Sequence, residues 1–300
     1  MKILVTGAAG MLGSALCQKI SDSEHQLIAV YHSGQNQTCD ITNRFDVKKL
    51  ISDHKPDIII NSAAHCQVDR CEEDQEWAEA VNNGGVKNLA ELAKEYKSQL
   101  IHISTDFVYS GKARQPYVET DQCEPVNKYG LYKLRGELAA QEANPNVIIL
   151  RTAWLYGATR SNFVLRLLDD IKAQKKSIAI VNDKWGSPTS VILLSDLIVK
   201  IVDSIVQKKR ISGIYHAVAT GGCSWLEFAE YIIRICGVRD ITIKPISMES
   251  LGLPATRPTH TILSNQKLQS VLQSEIPTWR QDIETFIGKN YIKSGKKMHA

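Results

Sequence analysis

Tyr129 and Lys133 stand four residues apart in the segment YGLYK (129–133). On a helix, this spacing places both side chains on one face. A Tyr hydroxyl has a reference pKa of about 10, and an ammonium one turn away lowers that pKa by stabilising the phenolate. The segment STD (104–106) adds Thr105, whose hydroxyl is suited to hydrogen bond a carbonyl oxygen. We predict that Tyr129 exchanges a proton with a carbonyl or alkoxide oxygen, supported by Lys133 and Thr105.

A glycine-rich loop near the N-terminus has the spacing G-x-x-G-x-x-G at Gly7, Gly10 and Gly13, directly after the apolar run KILVT. Glycine lets a backbone turn tightly and approach a pyrophosphate, and the following helix N-terminus offers free N–H groups. A glycine triplet alone also fits a plain tight turn. Its place between a predicted strand and a predicted helix favours a dinucleotide site.

The end of the second apolar run bears on the choice of cofactor. A site selective for NAD commonly places an acidic residue there to accept the ribose 2′-hydroxyl. This chain has Tyr31, His32 and Ser33, which would neither repel a 2′-phosphate nor supply an arginine for it. We therefore predict NADPH as the cofactor, with NADH usable.

Two further segments are suited to a dinucleotide. Asp40 is able to accept a hydrogen bond from an adenine amino group, but it equally fits a turn or a helix N-cap. In NSAAH (61–65), Ala63 and Ala64 leave room for a cofactor to cross the edge of a sheet. His65 either takes part in that site or is an ordinary loop histidine.

These residues follow apolar runs that are typical of buried strands. Five such runs alternate with helical stretches, which predicts an α/β fold with a doubly wound parallel sheet and helices on both faces. The predicted strands are Lys2–Thr6, Gln26–Tyr31, Asp57–Asn61, Gln99–Ser104 and Asn146–Arg151, and the predicted helices are Met11–Ser21, Phe45–His54, Asp74–Lys97 and Tyr129–Glu142.

After about residue 155 the alternation becomes less regular. We predict a Rossmann-type NAD(P)-binding domain over residues 1–155 and a smaller α/β substrate-binding lobe over 156–300, some of whose elements return to the first sheet. Predicted helices of this half are Asn162–Gln174, Leu193–Val206, Trp225–Cys236 and Arg280–Ile287, and predicted strands are Ile178–Val181, Ile214–Ala217 and Thr242–Ile246.

Composition excludes several classes of protein. With 43% hydrophobic and 23% charged residues, the 300-residue chain is neither disordered nor a coiled coil. No apolar run approaches the ~20 residues that cross a bilayer, so we expect no membrane contact. The net charge of +4 comes from scattered basic residues, which argues against nucleic acid and suits an anionic small molecule.

The cysteines indicate neither a metal site nor a disulfide framework. There are seven, an odd number, and none has the CxxC spacing. Only His65, Cys66 and Cys71 lie close together in the sequence, and a zinc site needs a fourth clustered ligand. We predict no metal, and reduced thiols in a cytoplasmic protein.

A set of motifs along nearly the whole chain resembles the extended short-chain dehydrogenases/reductases, and among them the dTDP-4-dehydrorhamnose reductase family. The later motifs distinguish this family from other extended reductases. The motifs are GAAGMLG (7–13), NSAAHCQVDRCE (61–72), STDFVYSG (104–111), PYVETD (116–121), PVNKYGLYK (125–133), RTAWLYG (151–157), NF (162–163), VNDKWGSPT (181–189), GIYHAVATG (213–221) and RP (257–258).

The resemblance implies NADPH-dependent reduction of the 4-keto group of a dTDP-linked 6-deoxyhexulose, giving dTDP-L-rhamnose for polysaccharide synthesis. Tyr129 would be the proton donor, with Lys133 and Thr105 completing a triad. The resemblance also implies cofactor contacts at Gly10, Met11, Leu12, Asp40, Ile41, Ala63, Ala64 and His65, and substrate contacts at Thr105, Asp106 and Trp154.

Four positions qualify this assignment. Trp154 suits an apolar wall for the sugar, or it is a core aromatic residue. Arg257 would meet a diphosphate, or it forms a surface ion pair. The family usually has Thr where Cys66 stands and Tyr where Phe107 stands. The two missing hydroxyls leave a related keto-sugar open as the substrate.

Three other functions stay open at this point. A nucleotide-sugar epimerase would share the glycine loop and the Tyr129–Lys133 pair. The family also resembles the regulatory subunit of methionine adenosyltransferase, so a non-catalytic binding role is possible, as is a purely structural NADP-binding module. The long stretch Asp74–Lys97 makes a homodimer plausible.

Overall fold

The computed structural model describes residues 1–34 and 37–289. The strands are β1 (Lys2–Thr6), β2 (Gln26–Val30), β3 (Ile58–Asn61), β4 (Gln99–Thr105), β5 (Ile148–Thr152), β6 (Leu155–Tyr156), β7 (Ser177–Val181), β8 (Trp185–Gly186), β9 (Thr189–Ser190), β10 (Gly213–His216), β11 (Cys223–Ser224) and β12 (Thr242–Ile246).

The α-helices are α1 (Met11–Ser21), α2 (Arg44–His54), α3 (Arg70–Glu73), α4 (Gln75–Glu79), α5 (Val86–Glu95), α6 (Lys128–Ala143), α7 (Phe163–Lys172), α8 (Val191–Val206), α9 (Trp225–Ile235), α10 (Gln266–Leu272) and α11 (Trp279–Ile287). Residues Ala80–Gly85 form a π-helix, and Asp106–Val108 and Glu249–Leu251 form 3₁₀ turns. Among the described residues, no helix is both long and apolar enough to cross a membrane.

Six strands form one parallel sheet in the order β10-β5-β4-β3-β1-β2. The chain leaves β1 towards β2 on one side and then continues with β3 on the other. The strand order therefore reverses between β1 and β3, where ligands bind in open α/β sheets. The predicted doubly wound α/β fold is confirmed.

Apolar side chains cover both faces of this sheet, because successive residues of a strand point to opposite sides. In β3, Ile58 and Ile60 pack against α1 and α8, whereas Ile59 packs against α2 and α5. All three isoleucines are fully buried. A parallel sheet with helices on both faces requires such continuously apolar strands.

The predicted helix Asp74–Lys97 is wrong as a single α-helix. The structure divides it into α4, the π-helix Ala80–Gly85 and α5. The segment NNGG (82–85) has low helix propensity, which weakens the α-helical ladder at this point. The side chain of Asn82 instead bonds the backbone of His65 on both its N–H and its C=O.

The chain beyond residue 155 returns to the large sheet. Strand β10 pairs with β5 at one sheet edge, and α8 packs on α1. The remaining short strands form three separate pairs, β7 with β12, β6 with β9, and β8 with β11. The division of the chain at residue 155 therefore stays a prediction about folding units.

Candidate active site

The predicted site residues meet at the carboxyl ends of the central strands. Gly7 follows β1, Ala63 follows β3, and Thr105 is the last residue of β4. Thr105 pairs in register with Thr152, the last residue of β5. Parallel strands end at the same sheet edge, so side chains far apart in sequence come together there.

The glycine loop is packed too tightly for side chains. Gly7 has φ +68°, and a Cβ there would lie 2.8 Å from the Ala63 nitrogen. A Cβ on Gly13 would lie 2.1 Å from the Gly7 carbonyl oxygen. Helix α1 begins at Met11 with Gly10 as its N-cap, without a side-chain cap. The loop thus brings backbone to the switch point and leaves helix N–H groups available, which fits a dinucleotide pyrophosphate.

Sequence reasoning missed Arg160. Its guanidinium donates to the Ala9 carbonyl inside the glycine loop, at 3.1 Å from Nε and 2.9 Å from Nη2. Asn162 binds the neighbouring backbone at Gly157, at 2.8 Å. Arg160 lies 151 residues from Ala9 in sequence, and no local pattern links the two.

The other predicted cofactor contacts have mixed surroundings. One carboxylate oxygen of Asp40 accepts from the Thr42 N–H and hydroxyl, so Asp40 closes a turn, and Asn43 is the N-cap of α2. The side chain of Ile41 is buried in the core, whereas Ala64 is exposed. His65 is held by Asn82, and its Nδ1 lies 3.3 Å from Cys71 Sγ.

Thr105 and Tyr129 come together as predicted from their types. Thr105 lies beside Tyr129, and its hydroxyl acts to lower the tyrosine pKa. Burial outweighs it and, with Cys66 nearby, raises the pKa of Tyr129 well above its ordinary value. Asn127 caps α6 by accepting from the Gly130 N–H at 2.8 Å, which fixes the first helical turn that carries Tyr129.

Lys133 is nearly inaccessible, with 2% exposure. Its Nζ donates to the Ile103 carbonyl at 2.7 Å and lies 3.3 Å from His102 Nε2. Burial lowers the pKa of Lys133 to about 8, although the nearby Glu137 opposes this shift. We expected a Lys133 ammonium to lower the Tyr129 pKa, but the net direction is upward because both groups are desolvated.

Asp106 lies under the site rather than in an open pocket. It is 2% exposed and accepts hydrogen bonds from the hydroxyls of Thr261 and Thr105. Burial raises its pKa, and the nearby Lys184 opposes that shift. Lys184, which the sequence reasoning did not select, is also 2% exposed. Its Nζ donates to the Pro258 carbonyl at 3.1 Å.

Phe107 lies between Tyr129 and Lys184. Its ring meets the Tyr129 ring edge-on, with centroids 5.7 Å apart. The Lys184 Nζ lies 4.8 Å from the centroid of the Phe107 ring, within range of a cation–π contact. A hydroxyl on this ring, which the family usually has, would stand in the same region.

Trp154 is half-buried and has φ +45°, in the left-handed region that non-glycine residues rarely adopt. Its ring contacts Trp225 edge-on at 5.5 Å, and a Cβ on Gly186 would lie 2.4 Å from its Cε2. Among the described residues its indole N–H has no hydrogen-bond partner. This N–H is buried against Gly186, so the positive φ is the feature of Trp154 that invites a functional explanation.

Arg257 forms an ion pair with Asp69, at 2.5 and 2.6 Å to the two carboxylate oxygens. It also donates to the Ala255 carbonyl. A cavity of ≈ 280 Å³ opens nearby, beside the start of α6. Its lining includes Glu72, Pro125, Asn127, Leu131, Pro254 and Thr256. Within residues 1–34 and 37–289, no cluster of His, Cys, Asp and Glu is suited to hold a metal.

A doubly wound parallel sheet, a glycine loop after β1, and a Tyr-x-x-x-Lys pair on the helix after β4 define an extended short-chain dehydrogenase/reductase. Comparison with known proteins narrows this class. Residues 1–292 match the family described as RmlD substrate binding domain. The chain belongs to this family, that of the dTDP-4-dehydrorhamnose reductases.

Its relatives support the same assignment. The dTDP-4-dehydrorhamnose reductase of Escherichia coli K12 is 31% identical over 297 residues, covering 96% of this chain and 98% of the relative. The dTDP-4-keto-6-deoxy-D-glucose reductase of Streptomyces niveus is 31% identical, with 92% and 93% covered. A crystal structure of dTDP-4-dehydrorhamnose reductase from Bacillus anthracis in complex with NADP has a TM-score of 0.89 at 31% identity, with 96% and 99% covered.

Proposed function

We propose that the protein is an NADPH-dependent 4-ketoreductase of a dTDP-linked 6-deoxyhexulose, converting dTDP-4-dehydrorhamnose to dTDP-L-rhamnose for cell-surface polysaccharide synthesis. The observation that carries the proposal is the Thr105–Tyr129 contact at the end of β4, beside Lys133 and the glycine loop. Family membership over residues 1–292 supports it. Bound NADPH would supply the hydride.

Tyr129 acts as the proton donor in this proposal. As the C4 oxygen gains negative charge, the phenol transfers its proton to that oxygen, and Thr105 holds the oxygen by a hydrogen bond. The raised pKa of Tyr129 supports this role, because the phenol is fully protonated at neutral pH. A residue that donates a proton during reduction of the carbonyl must be protonated before the reaction begins.

The cofactor half of the proposal uses Gly7, Gly10, Met11, Leu12 and Gly13 for the pyrophosphate. Ala63, Ala64 and His65 contact the cofactor, Asp40 and Ile41 flank the adenine, and Lys133 binds the nicotinamide ribose. NADPH is favoured because Tyr31, His32 and Ser33 present no acid to a 2′-phosphate. The Bacillus anthracis relative with NADP supports this choice, and NADH remains usable.

The substrate half uses Trp154 as an apolar wall for the sugar, supported by its half-buried ring next to Trp225. Thr105 contacts the sugar, and the buried Asp106 supports Thr105 from below by accepting its hydroxyl hydrogen bond. Arg257 contacts the diphosphate while sharing its charge with Asp69. In this division, residues 1–155 carry the cofactor and residues 156–300 complete the sugar pocket.

A different keto-sugar is the second candidate. Phe107 places an apolar ring under the Lys184 Nζ where the family usually has a tyrosine, and Cys66 stands where it usually has threonine. Lost hydroxyls alter which sugar hydroxyls find a partner. The Streptomyces niveus relative is a reductase of a different dTDP-linked ketosugar, which supports keeping this candidate.

The deciding experiment follows NADPH absorbance with purified protein and freshly made dTDP-4-dehydrorhamnose, with NADH in parallel. Stoichiometric loss of NADPH supports the reductase and separates it from an epimerase, which consumes no net cofactor. If protein that binds NADPH oxidises none with this sugar, a panel of nucleotide keto-sugars tests the second candidate. No turnover across the panel, together with co-purification of a synthetase, would instead support a regulatory subunit.

The proposal also includes a homodimer in the cytoplasm that binds no nucleic acid. The helical region α4 to α5 is the face we select for the dimer, and sedimentation equilibrium tests the oligomeric state. A monomer at assay concentration would contradict the proposed dimer but would leave the proposed reaction unaffected.

A further inference from the structure

A buried chain of hydrogen bonds runs beneath the candidate active site and starts at the cofactor loop. The backbone N–H of Ala63 donates to Asn61 Oδ1 at 3.2 Å, and the Thr6 hydroxyl donates to the same oxygen at 2.6 Å. A backbone N–H can only donate. It therefore fixes which end of the Asn61 amide is the oxygen, and the amide nitrogen must point the other way.

The amide nitrogen of Asn61 lies 3.1 Å from Nδ1 of His102. Because an amide N–H₂ only donates, Nδ1 must accept. His102 is fully buried, and this burial by itself lowers its pKa well below the ordinary value. The ring is thus neutral, and its single proton sits on Nε2.

This proton faces the Lys133 side chain, since Nε2 lies 3.3 Å from Nζ. An N–H of His102 pointing at Nζ needs a lone pair there, and an ammonium has none. The amine form of Lys133 satisfies every atom, because it accepts from His102 and donates to the Ile103 carbonyl at 2.7 Å. An ammonium would set two donors against each other somewhere along the chain.

We propose that Asn61 and His102 favour the uncharged amine form of Lys133 in the cofactor-free protein, which makes His102 a positioning residue for Lys133. The role assigned to Lys133 rests on the proposed function, but its protonation state does not. The hydrogen-bond chain has a fixed direction, from the backbone donor at Ala63 to the backbone acceptor at Ile103. The amine keeps its second N–H available for the cofactor.

The other charged and titratable groups around Lys133 do not supply a counter-ion by contact. Glu137, one turn further along α6, accepts three hydrogen bonds from the Arg151 guanidinium and one from the Ser104 hydroxyl. Cys66, after β3, would favour the ammonium only as a thiolate. Tyr129, on the same face of α6, carries a phenol with a raised pKa and is neutral.

Two isosteric substitutions separate this arrangement from simple burial. In Asn61→Asp, both carboxylate oxygens accept, so His102 must carry its proton on Nδ1 and Nε2 becomes an acceptor for an ammonium. We expect the pKa of Lys133 to rise by at least about one unit. In His102→Gln, the amide oxygen accepts from Asn61 and the amide nitrogen donates to Lys133, so the pKa should remain near its original value.

A double variant tests whether the effect passes through His102. Asn61→Asp with His102→Phe keeps the new carboxylate but breaks the chain, so any remaining shift in the Lys133 pKa is the direct charge effect alone. We expect that remaining shift to be less than half of the shift in Asn61→Asp with His102 intact.

The readout is the ¹⁵N resonance of Lys133 Nζ in lysine-labelled, cofactor-free protein, titrated with pH. Lys133→Met and Lys184→Met assign the two buried lysines by loss of a signal. Titration of Lys133 near the free-lysine value of about 10.4, or no change in Asn61→Asp, would overturn the proposal. Because the titration needs no substrate, its failure is distinguishable from absence of reductase activity. If the pH profile of kcat/KM shifts by the same amount in Asn61→Asp, the change in the Lys133 pKa is linked to turnover.

Discussion

Two walls of the candidate active site each contain a buried lysine, and the groups that surround the two lysines differ in charge. The first wall comprises Thr105, Tyr129 and Lys133, on β4 and α6. The second wall comprises Trp154, Lys184 and Thr261, from three loops. Burial lowers the pKa of Lys133 and of Lys184 to about 8 in each case.

The partners of the two lysines differ although their burial is alike. Lys133 touches a neutral histidine and a backbone carbonyl. Lys184 lies near the buried carboxylate of Asp106 and over the Phe107 ring. The comparison indicates that hydrogen bonds in the first wall fix which atoms carry protons. In the second wall, Lys184 and Asp106 hold distant parts of the chain together by their opposite charges. Four substitutions test this division, and they follow in order of expected effect.

Tyr129→Phe removes the proposed donor from the first wall and keeps its ring. We expect turnover of the keto-sugar to fall by ~10² or more, the usual contribution of a general acid. NADPH affinity, measured by fluorescence titration, should not change. Near-normal turnover in this variant would show that the first wall does not supply the proton.

Lys184→Met should act mainly on stability, because it leaves the Asp106 carboxylate buried without its nearby cation. We expect a loss of about 2 kcal/mol in the free energy of unfolding near neutral pH, measured by denaturant titration. An unpaired buried acid has a raised folded-state pKa. The contribution of protonated Asp106 to the free energy of unfolding is therefore complete below the unfolded-state pKa of about 4. It is lost as the pH rises through the folded-state pKa.

The deficit of Lys184→Met should therefore shrink as pH is lowered and Asp106 becomes neutral. A pH-independent deficit would mean that Lys184 contributes by packing rather than by charge. Lys133→Met serves as the matched control, because it removes a buried lysine that has no carboxylate in contact. Its deficit should not show this pH dependence.

Arg160→Gln loosens the contact between the second half of the chain and the glycine loop. The guanidinium donates twice to the Ala9 carbonyl, so its loss should raise KM for NADPH about threefold and leave kcat nearly unchanged. Arg166→Gln is the matched control, since Arg166 is an exposed arginine on the nearby helix α7. Equal effects of the two substitutions would indicate lost surface charge alone.

Cys66→Thr introduces a hydroxyl in the loop after β3, close to Tyr129 and Lys133 of the first wall. If dTDP-4-dehydrorhamnose is the substrate, one added hydrogen bond should raise kcat/KM about twofold to fivefold. Cys123→Thr controls for a general effect of the exchange. A fall in kcat/KM for this sugar would favour a different keto-sugar.

The regular half of the fold was predictable because its signals are local. Strand β1 and helix α1 match their predicted bounds, since an uninterrupted apolar run and a glycine loop mark them. The bounds of the other main-sheet strands moved by one or two residues. The low helix propensity of NNGG (82–85) signals a weak point in the predicted helix, but the π-helix itself was not predictable, because it also depends on the Asn82 contact with His65, 17 residues away.

The site was predictable to the same extent. Tyr129 and Lys133 share a helix face by their spacing, and strand ends placed Thr105 beside them. The contact of Arg257 with Asp69 spans 188 residues, and the sequence left it open against a diphosphate site. Lys184 gave no signal of its own, because a single lysine in a loop is ordinarily exposed.

The sequence by itself therefore determined the order of elements, the glycine loop after β1 and the pairing of a tyrosine with a lysine on one helix. These follow from backbone periodicity and from glycine geometry, which act over a few residues. Only the tertiary structure decided what each buried lysine faces, because burial and hydrogen-bond direction depend on partners from distant strands. For Lys133 those partners are His102 and Ile103 of β4, and we propose that they favour its uncharged form.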